Sequence, residues 1–354
     1  MENIRVLELY SGIGGMHYAL TESGVGAEVV AAVDVNTTAN EIYKHNFPNT
    51  PLHPKTIEGM TLDDFNKLTF DMILMSPPCQ PFTRIGLQGD ISDPRTKSFL
   101  YILDLLPRES MVKTLIECGY NYQELLVSPT CLGMPNSRLR YFLIAKMNCS
   151  TLWRQNPSCM CFFPVSHSSA STTCPEEERR ETQAEDAGVL YKLERIQDAE
   201  RKSRQNRDES VRQIGDYLEN HGGEEMEQYL LSHKTLLRYA LLMDIVRPTC
   251  RRSVCFTKGY GHYVEGTGSV LQSCMETDME SAFRSLELLS DEEKLQQLSR
   301  LKLRYFTPRE IANLMGFPKH FTFPKNISTK QQYRVLGNSL NVHVVARLIQ
   351  LLVS

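Results

Sequence analysis

The chain has 354 residues, 41% of them hydrophobic, and a formal net charge of -3. That size and apolar content allow one large core and a smaller second lobe, and the near-neutral charge excludes a broadly basic binder while leaving room for a local basic face. Neither a charged leader with an apolar run behind it nor a long membrane-spanning apolar run occurs, so a soluble, intracellular chain is expected.

From Ile4 to Lys146, short apolar or β-branched runs alternate with helical patterns, and IRVLEL, EVVAAVDV, FDMILM, YQELLV and RLRYFLIAK are the predicted strands. That alternation predicts an α/β fold with a parallel sheet. The first strand runs into Ser11-Gly12-Ile13-Gly14-Gly15 and then a helix. Glycines at such a turn let a ligand approach the backbone, and the helix N-terminus offers N–H groups to it. The second strand ends at Asp34, twenty residues beyond Gly14, where a carboxylate can accept from ribose hydroxyls. An adenosine-bearing ligand fits both features. A dinucleotide is disfavoured because His17 breaks the third glycine of G-x-G-x-x-G. A plain βα turn is the other alternative, and Asp34 weighs against it.

FDMILM leads into SPPCQPF, which places Cys79 at the carboxyl end of a strand, held between Pro77, Pro78 and Pro81. A buried structural thiol is the ordinary role for a cysteine after a strand; rigid placement beside a ligand crevice suits a nucleophile instead. Beyond it KSFLYILDLL reads as a helix to Pro107, and ESMVKTLIECG as a second helix, with no strand between them. A parallel crossover sheet requires one there. The join at LPRESMV therefore looks like an in-frame deletion. Ser166 to Gly188 is expected to be disordered, and the charged stretch after it to form one or two solvated helices. The ten cysteines are expected to be reduced thiols, and Cys159 and Cys161 lack a second ligand pair, so no metal is expected. Apolar periodicity returns from Thr235, followed by the glycine-rich KGYGHYVEGTGS and two C-terminal helices, the first opened by a capping box at Thr307-Pro308-Arg309-Glu310.

YSGIGG, SPPCQPF, NSRLRYFLIA, TPREIANLMGFP and YRVLGNSLNVHVVARLI occur in an order that resembles the cytosine-5 methyltransferases, and PPCQPFTRIG with CFTKGYG resembles the branch that methylates transfer RNA. The resemblance implies a Rossmann-like methyltransferase sheet, here missing one strand, with a small target-recognition lobe. It implies S-adenosylmethionine as methyl donor and an anticodon-loop cytosine of aspartate tRNA as substrate, in a monomeric, cytoplasmic enzyme, with the nucleus kept open as a second compartment. It divides the chain into a catalytic domain at 1–147, a polar insert at 148–233, a target-recognition lobe at 234–300, and helices at 301–354 that return to the catalytic domain.

The same resemblance assigns residues. Cys79 matches the nucleophile, and Arg138 and Arg140 the arginines at the reacting pyrimidine. Ile13, Gly14 and Gly15 match the loop under the methionine part, Asp34 and Val35 the ribose and adenine edge, Ile57 and Glu58 the loop after the third strand, and Ser76 and Ser339 the residues that close the pocket. Arg251, Arg252, Lys258, Arg300, Lys302 and Arg304 are candidates for phosphate contacts. The family's Glu-Asn-Val motif is absent, and Glu109 and Glu117 near the join lack its context. Two classes stay open: an active tRNA cytosine-5 methyltransferase, which the missing motif would leave impaired in this chain, and a non-catalytic cofactor- or RNA-binding product; a DNA cytosine-5 methyltransferase is a further alternative. A nicotinamide dehydrogenase is a remoter third.

Overall fold

Four short apolar segments meet in one parallel sheet: β1 (Ile4–Leu9), β2 (Ala27–Val33), β3 (Leu52–His53) and β4 (Met72–Met75), in the order β3-β2-β1-β4. The structure, a computed structural model, describes residues 3–77, 111–147, 163–164, 196–219, 223–284 and 286–354. β1 is interior and correspondingly apolar, with Val6 and Leu7 fully buried. Its last residue, Leu9, pairs with Val33 on one side and Met75 on the other. The carboxyl ends of three strands therefore lie side by side, the place where open α/β sheets bind ligands.

The crossovers are α1 (Gly15–Glu22), α2 (Thr37–Asn46) and α3 (Leu62–Leu68). Asn36 caps α2 by accepting the Ala39 N–H, and Thr61 with Asp64 forms a capping box on α3. β3 was not among the predicted strands, because PLHP gives only two pairing residues beside a proline.

Among the described residues β4 pairs with β1 alone, and Ile73 on it is 41% exposed. The next described helix, α4 (Met111–Glu117), leads to β5 (Tyr120–Val127), which joins a different sheet, ordered β6-β5-β7, with β6 (Arg140–Met147) and β7 (Phe163–Pro164). Among the described residues, FDMILM and YQELLV thus stand in separate sheets. Cys79 and KSFLYILDLL lie outside the described residues, as does the tract Ser166 to Gly188. The charged stretch beyond that tract forms a helix, Ile196–Arg207.

The chain divides into two compact units, residues 1–124, 141–160 and 315–354 in one, and 125–140 and 161–314 in the other. In the first, helices Thr329–Asn338 and Val342–Val353 follow one another with a break at Ser339–Asn341. The stretch they form is apolar and long enough to pass for a membrane span by composition, but half of it is buried, and Gln350 donates to the Ser23 carbonyl at the end of α1. Gly337 lies inside the first of these helices, and the break begins at Ser339.

The second unit holds β8 (Ile245–Val246), β9 (Val270–Gln272) and β10 (Leu303–Arg304) in the order β10-β9-β8, over a core that includes Leu236, Met243, Phe283 and Leu298. The capping box at Thr307 forms as expected, with Glu310 accepting the Thr307 N–H at 2.8 Å. This unit corrects the list of phosphate-contact candidates. Arg304 is 5% exposed and holds buried Glu310 through two 2.7 Å hydrogen bonds, and Arg252 is 5% exposed and pairs with Asp244. Each guanidinium is committed inside the fold, where removing it would strand a buried charge. Arg251 donates to the Val211 carbonyl. Lys258, Arg300 and Lys302 remain at the surface.

Candidate functional site

After Leu9 the backbone turns through left-handed conformations at Tyr10 (φ 55), Gly12 (φ 55) and Gly14 (φ 86) before α1 begins. The Gly14 N–H donates to the Ser11 carbonyl at 2.9 Å, closing the turn. Glycine at 14 is required twice, by its φ and because a Cβ there would stand 2.4 Å from the Phe47 ring. Gly14 caps α1 without any side-chain hydrogen bond, so no capping side chain occupies the first-turn N–H groups. Ile13 is 2% exposed and belongs to the core, which leaves backbone rather than side chain to face a ligand at that position.

Asp34 sits one strand over and braces this loop. One carboxylate oxygen accepts the Gly12 N–H at 2.8 Å, the other the Asn36 N–H at 2.7 Å, and the Asn40 amide donates to its carbonyl at 2.9 Å. Each carboxylate oxygen can accept a further donor, so bracing does not exhaust it. Val35, next to it, is 63% exposed. Ile57 is buried with Leu9 and Val33 and opens the single 3-10 turn Ile57–Gly59 that contains Glu58. Ser76 prolongs β4: its N–H donates to the Leu9 carbonyl and its Oγ to the Tyr10 carbonyl at 2.9 Å. Ser339 Oγ lies 3.0 Å from where a Cβ on Gly15 would be, so only glycine at 15 admits it comfortably.

All nine predicted ligand-pocket residues therefore belong to the first unit, and hydrogen bonds tie the loop directly to both Asp34 and Ser76. An uncapped helix N-terminus, a half-buried carboxylate and an exposed valine together suit a ligand with vicinal hydroxyls, a flat base and an anionic tail. That is the chemistry of a nucleoside carrying an amino acid.

One group beside this loop escaped the sequence reading. Glu8, fully buried in β1, accepts from Tyr43 Oη at 2.8 Å, and His17 Nδ1 lies 2.8 Å from the same hydroxyl. Burial pushes the Glu8 carboxyl up to about 8, against the Tyr43 hydrogen bond and helped by the charge of Asp34, and burial lowers His17 to about 4. His17 stacks on Phe47 with ring centroids 3.8 Å apart. The available signal was an acid in the middle of the apolar run VLEL.

Arg138 and Arg140 fall in the second unit. Arg138 is 5% exposed and donates through Nη1 to the Phe256 carbonyl at 3.0 Å and to Cys255 Sγ at 3.3 Å. Arg140 is exposed, and its Nη2 lies 3.6 Å from the same sulfur. The two arginines are thereby fixed to the start of CFTKGYG, a link that neither motif reveals alone.

Comparison with known proteins agrees with this geometry. The profile of the C-5 cytosine-specific DNA methylases matches residues 4–110 and 106–354, two pieces that overlap at residues 106–110. A tRNA (cytosine(38)-C(5))-methyltransferase of Homo sapiens is 53% identical over 391 aligned positions, covering 99% of this chain and 100% of that protein. With 354 residues available, at least 37 of those positions have no residue of this chain opposite them. A DNA (cytosine-5)-methyltransferase of Dictyostelium discoideum is 36% identical, covering 100% of this chain and 95% of that one. The crystal structure of the S. pombe Dnmt2 methyltransferase superposes with a TM-score of 0.74 at 35% identity, covering 99% of this chain and 98% of that one. With the glycine loop, the carboxylate after β2 and the strand end before SPPCQPF in these positions, the chain belongs to the C-5 cytosine methyltransferase family, whose methyl donor is S-adenosylmethionine.

Proposed function

We propose that the chain derives from a tRNA cytosine-5 methyltransferase acting on an anticodon-loop cytosine of aspartate tRNA through a covalent Cys79 adduct, and that this form is impaired. The observation that carries the reading is the joint placement of the glycine loop, Asp34 and Ser76 at adjoining strand ends, in a chain whose human relative is named for tRNA methylation. The cytoplasm and a monomeric state belong to the same proposal.

S-adenosylmethionine, when bound, would supply an electrophilic methyl group. The first-turn N–H groups of α1 would take its carboxylate, Asp34 its ribose hydroxyls, and Val35 one face of the adenine. Cys79 follows Ser76 by three residues in the sequence, a chain reach of at most roughly 10 Å from Ser76. Its thiolate would add to cytosine carbon 6, and the displaced π pair would make carbon 5 nucleophilic toward the methyl group. Loss of the carbon 5 proton then re-forms the double bond and expels the thiolate. Arg138 and Arg140 would hold the pyrimidine. The target base must leave its stack, which costs least in a single-stranded loop.

A second reading, a non-catalytic cofactor- or RNA-binding product, is favoured by the break in the family match at residues 106–110. The methyltransferase reading expects RNA binding, as does an RNA-binding product. At matched salt the chain should bind aspartate tRNA at least about tenfold more tightly than duplex DNA of similar charge; equal affinity in filter binding would defeat the RNA assignment and favour the DNA one.

The cofactor assignment has its own measurement. Calorimetry should register S-adenosylmethionine binding that weakens about tenfold to a hundredfold in Asp34→Ala, as expected for losing hydrogen bonds to a charged group. Asp34→Asn, which keeps one carbonyl acceptor for the loop brace, should lose less. Unchanged affinity in Asp34→Ala would remove the ribose contact from the proposal.

A further inference from the structure

The segment that anchors Arg138 and Arg140 continues into a loop that closes on itself. Thr257 N–H donates to the Thr267 carbonyl at 2.9 Å, and Tyr260 Oη donates to the Ser269 carbonyl at 2.7 Å while accepting the Phe306 N–H at 3.0 Å. Phe256 and Tyr260 pack edge to face beneath it, and Gly268 is fixed there because a Cβ would stand 2.5 Å from the Tyr260 ring. A base this firmly held would not be expected to expose a large aromatic side chain.

Tyr263 is nevertheless 63% exposed. Its position is set rather than loose: its N–H donates to the Gly259 carbonyl at 2.9 Å, its carbonyl accepts from Thr267 Oγ1 at 2.6 Å, and a Cβ on Gly259 would lie 3.1 Å from its ring. His262 stands edge-on to it, with ring centroids 4.6 Å apart, and Lys258 lies at the surface of the same loop. A rigid, solvent-facing aromatic corner with a neighbouring cation is what an unpaired nucleobase stacks on. Exposed Arg140, tied to Cys255 at the root of the loop, supplies positive charge from the same unit.

We propose that Tyr263 is the stacking platform for an unpaired base of the RNA substrate, an inference that rests on the tRNA reading above. The occupant is a single-stranded nucleotide rather than a duplex, because a base pair does not offer its face.

A set of anticodon stem-loop RNAs, each carrying 2-aminopurine at a different unpaired loop position, tests this by fluorescence titration. The wild-type chain should quench the probe at one of these positions on binding, and absence of a quench at every position overturns the stacking role. Tyr263→Ala should bind about fivefold to a hundredfold more weakly and lose the quench, with the melting temperature unchanged at so exposed a position. Tyr263→Phe and Tyr263→Trp should restore both, and Tyr263→Leu should restore neither, because leucine keeps apolar surface without a π face. Wild-type affinity in Tyr263→Ala, or rescue by leucine as complete as by phenylalanine, overturns the stacking role while leaving the tRNA reading intact; the leucine result would point to an apolar contact with a protein partner. No RNA binding by the wild-type chain would overturn the tRNA reading and this inference together.

Discussion

A version of the chain with the missing strand and its Glu-Asn-Val motif inserted at residues 107–109 is expected to transfer tritiated methyl groups to aspartate tRNA about a hundredfold to ten-thousandfold faster than the chain as it stands. The range is what an acid that stabilises transition-state charge typically contributes. In the family's chemistry that glutamate grips the exocyclic amine and protonates ring nitrogen 3, which makes carbon 6 electrophilic enough for a thiolate. The structural loss acts in the same direction. β4 has one partner strand among the described residues, and β5 stands in another sheet. Ile73 on β4, Ile116 on α4 and Tyr141 and Met147 on β6 are 41%, 55%, 48% and 60% exposed, apolar surface that an intervening strand and helix would be expected to cover. An open strand edge also leaves backbone donors and acceptors that must find water or another chain. The restored version should therefore melt at a higher temperature and aggregate less, besides turning over. Comparable methyl transfer by the two versions would mean that the join is misread. Glu109→Gln and Glu117→Gln in the unrestored chain would then identify whether either carboxylate reaches the base.

The join was read as a deletion from a rule of chain connectivity: two helical patterns in succession, KSFLYILDLL and ESMVKTLIECG, cannot both return to a parallel sheet without a strand between them. The placement of the glycine loop and Asp34 at adjoining strand ends was legible from the alternation of strand and helix patterns. What sequence could not supply is the fate of individual charges. Arg252 and Arg304 look like surface cations, and only the fold reveals Asp244 and Glu310 waiting for them inside. Asp34 was assigned to a ligand, and the structure adds that it also holds Gly12 in place. Glu8 was passed over as part of an apolar run, yet it is the most strongly perturbed carboxyl beside the loop. Asp244 and Glu310 are only eight and six residues from Arg252 and Arg304, whereas other deciding partners lie far along the chain, as with Arg138 and Cys255, 117 residues apart. Periodicity reports which face of an element is buried; it does not report which polar group is buried with it.

In the strand-restored protein, Cys79→Ser and Cys79→Ala are expected to abolish covalent trapping by an RNA that carries 5-fluorocytosine at the target position. Attack at carbon 6 and methylation at carbon 5 proceed as with cytosine, but the final step needs a proton on carbon 5, and fluorine cannot leave as a cation, so the thioether persists. A denaturing gel then displays the adduct directly. Cysteine is needed because its thiolate is nucleophilic near neutral pH, even though a free thiol of pKa about 8.5 is only a few per cent ionised there. Serine at position 79 would keep the shape and lose that reactivity. The rival is Cys255, whose sulfur lies 3.3 Å from Arg138 Nη1 and 3.6 Å from Arg140 Nη2, the two arginines expected to hold the pyrimidine. Proximity to the same arginines makes it the right control. Cys255→Ser should leave trapping intact if its thiol only anchors those side chains. Trapping that survives in Cys79→Ala and disappears in Cys255→Ser would transfer the nucleophile to the CFTKGYG segment, and the proline-framed cysteine after β4 would then be a packing residue.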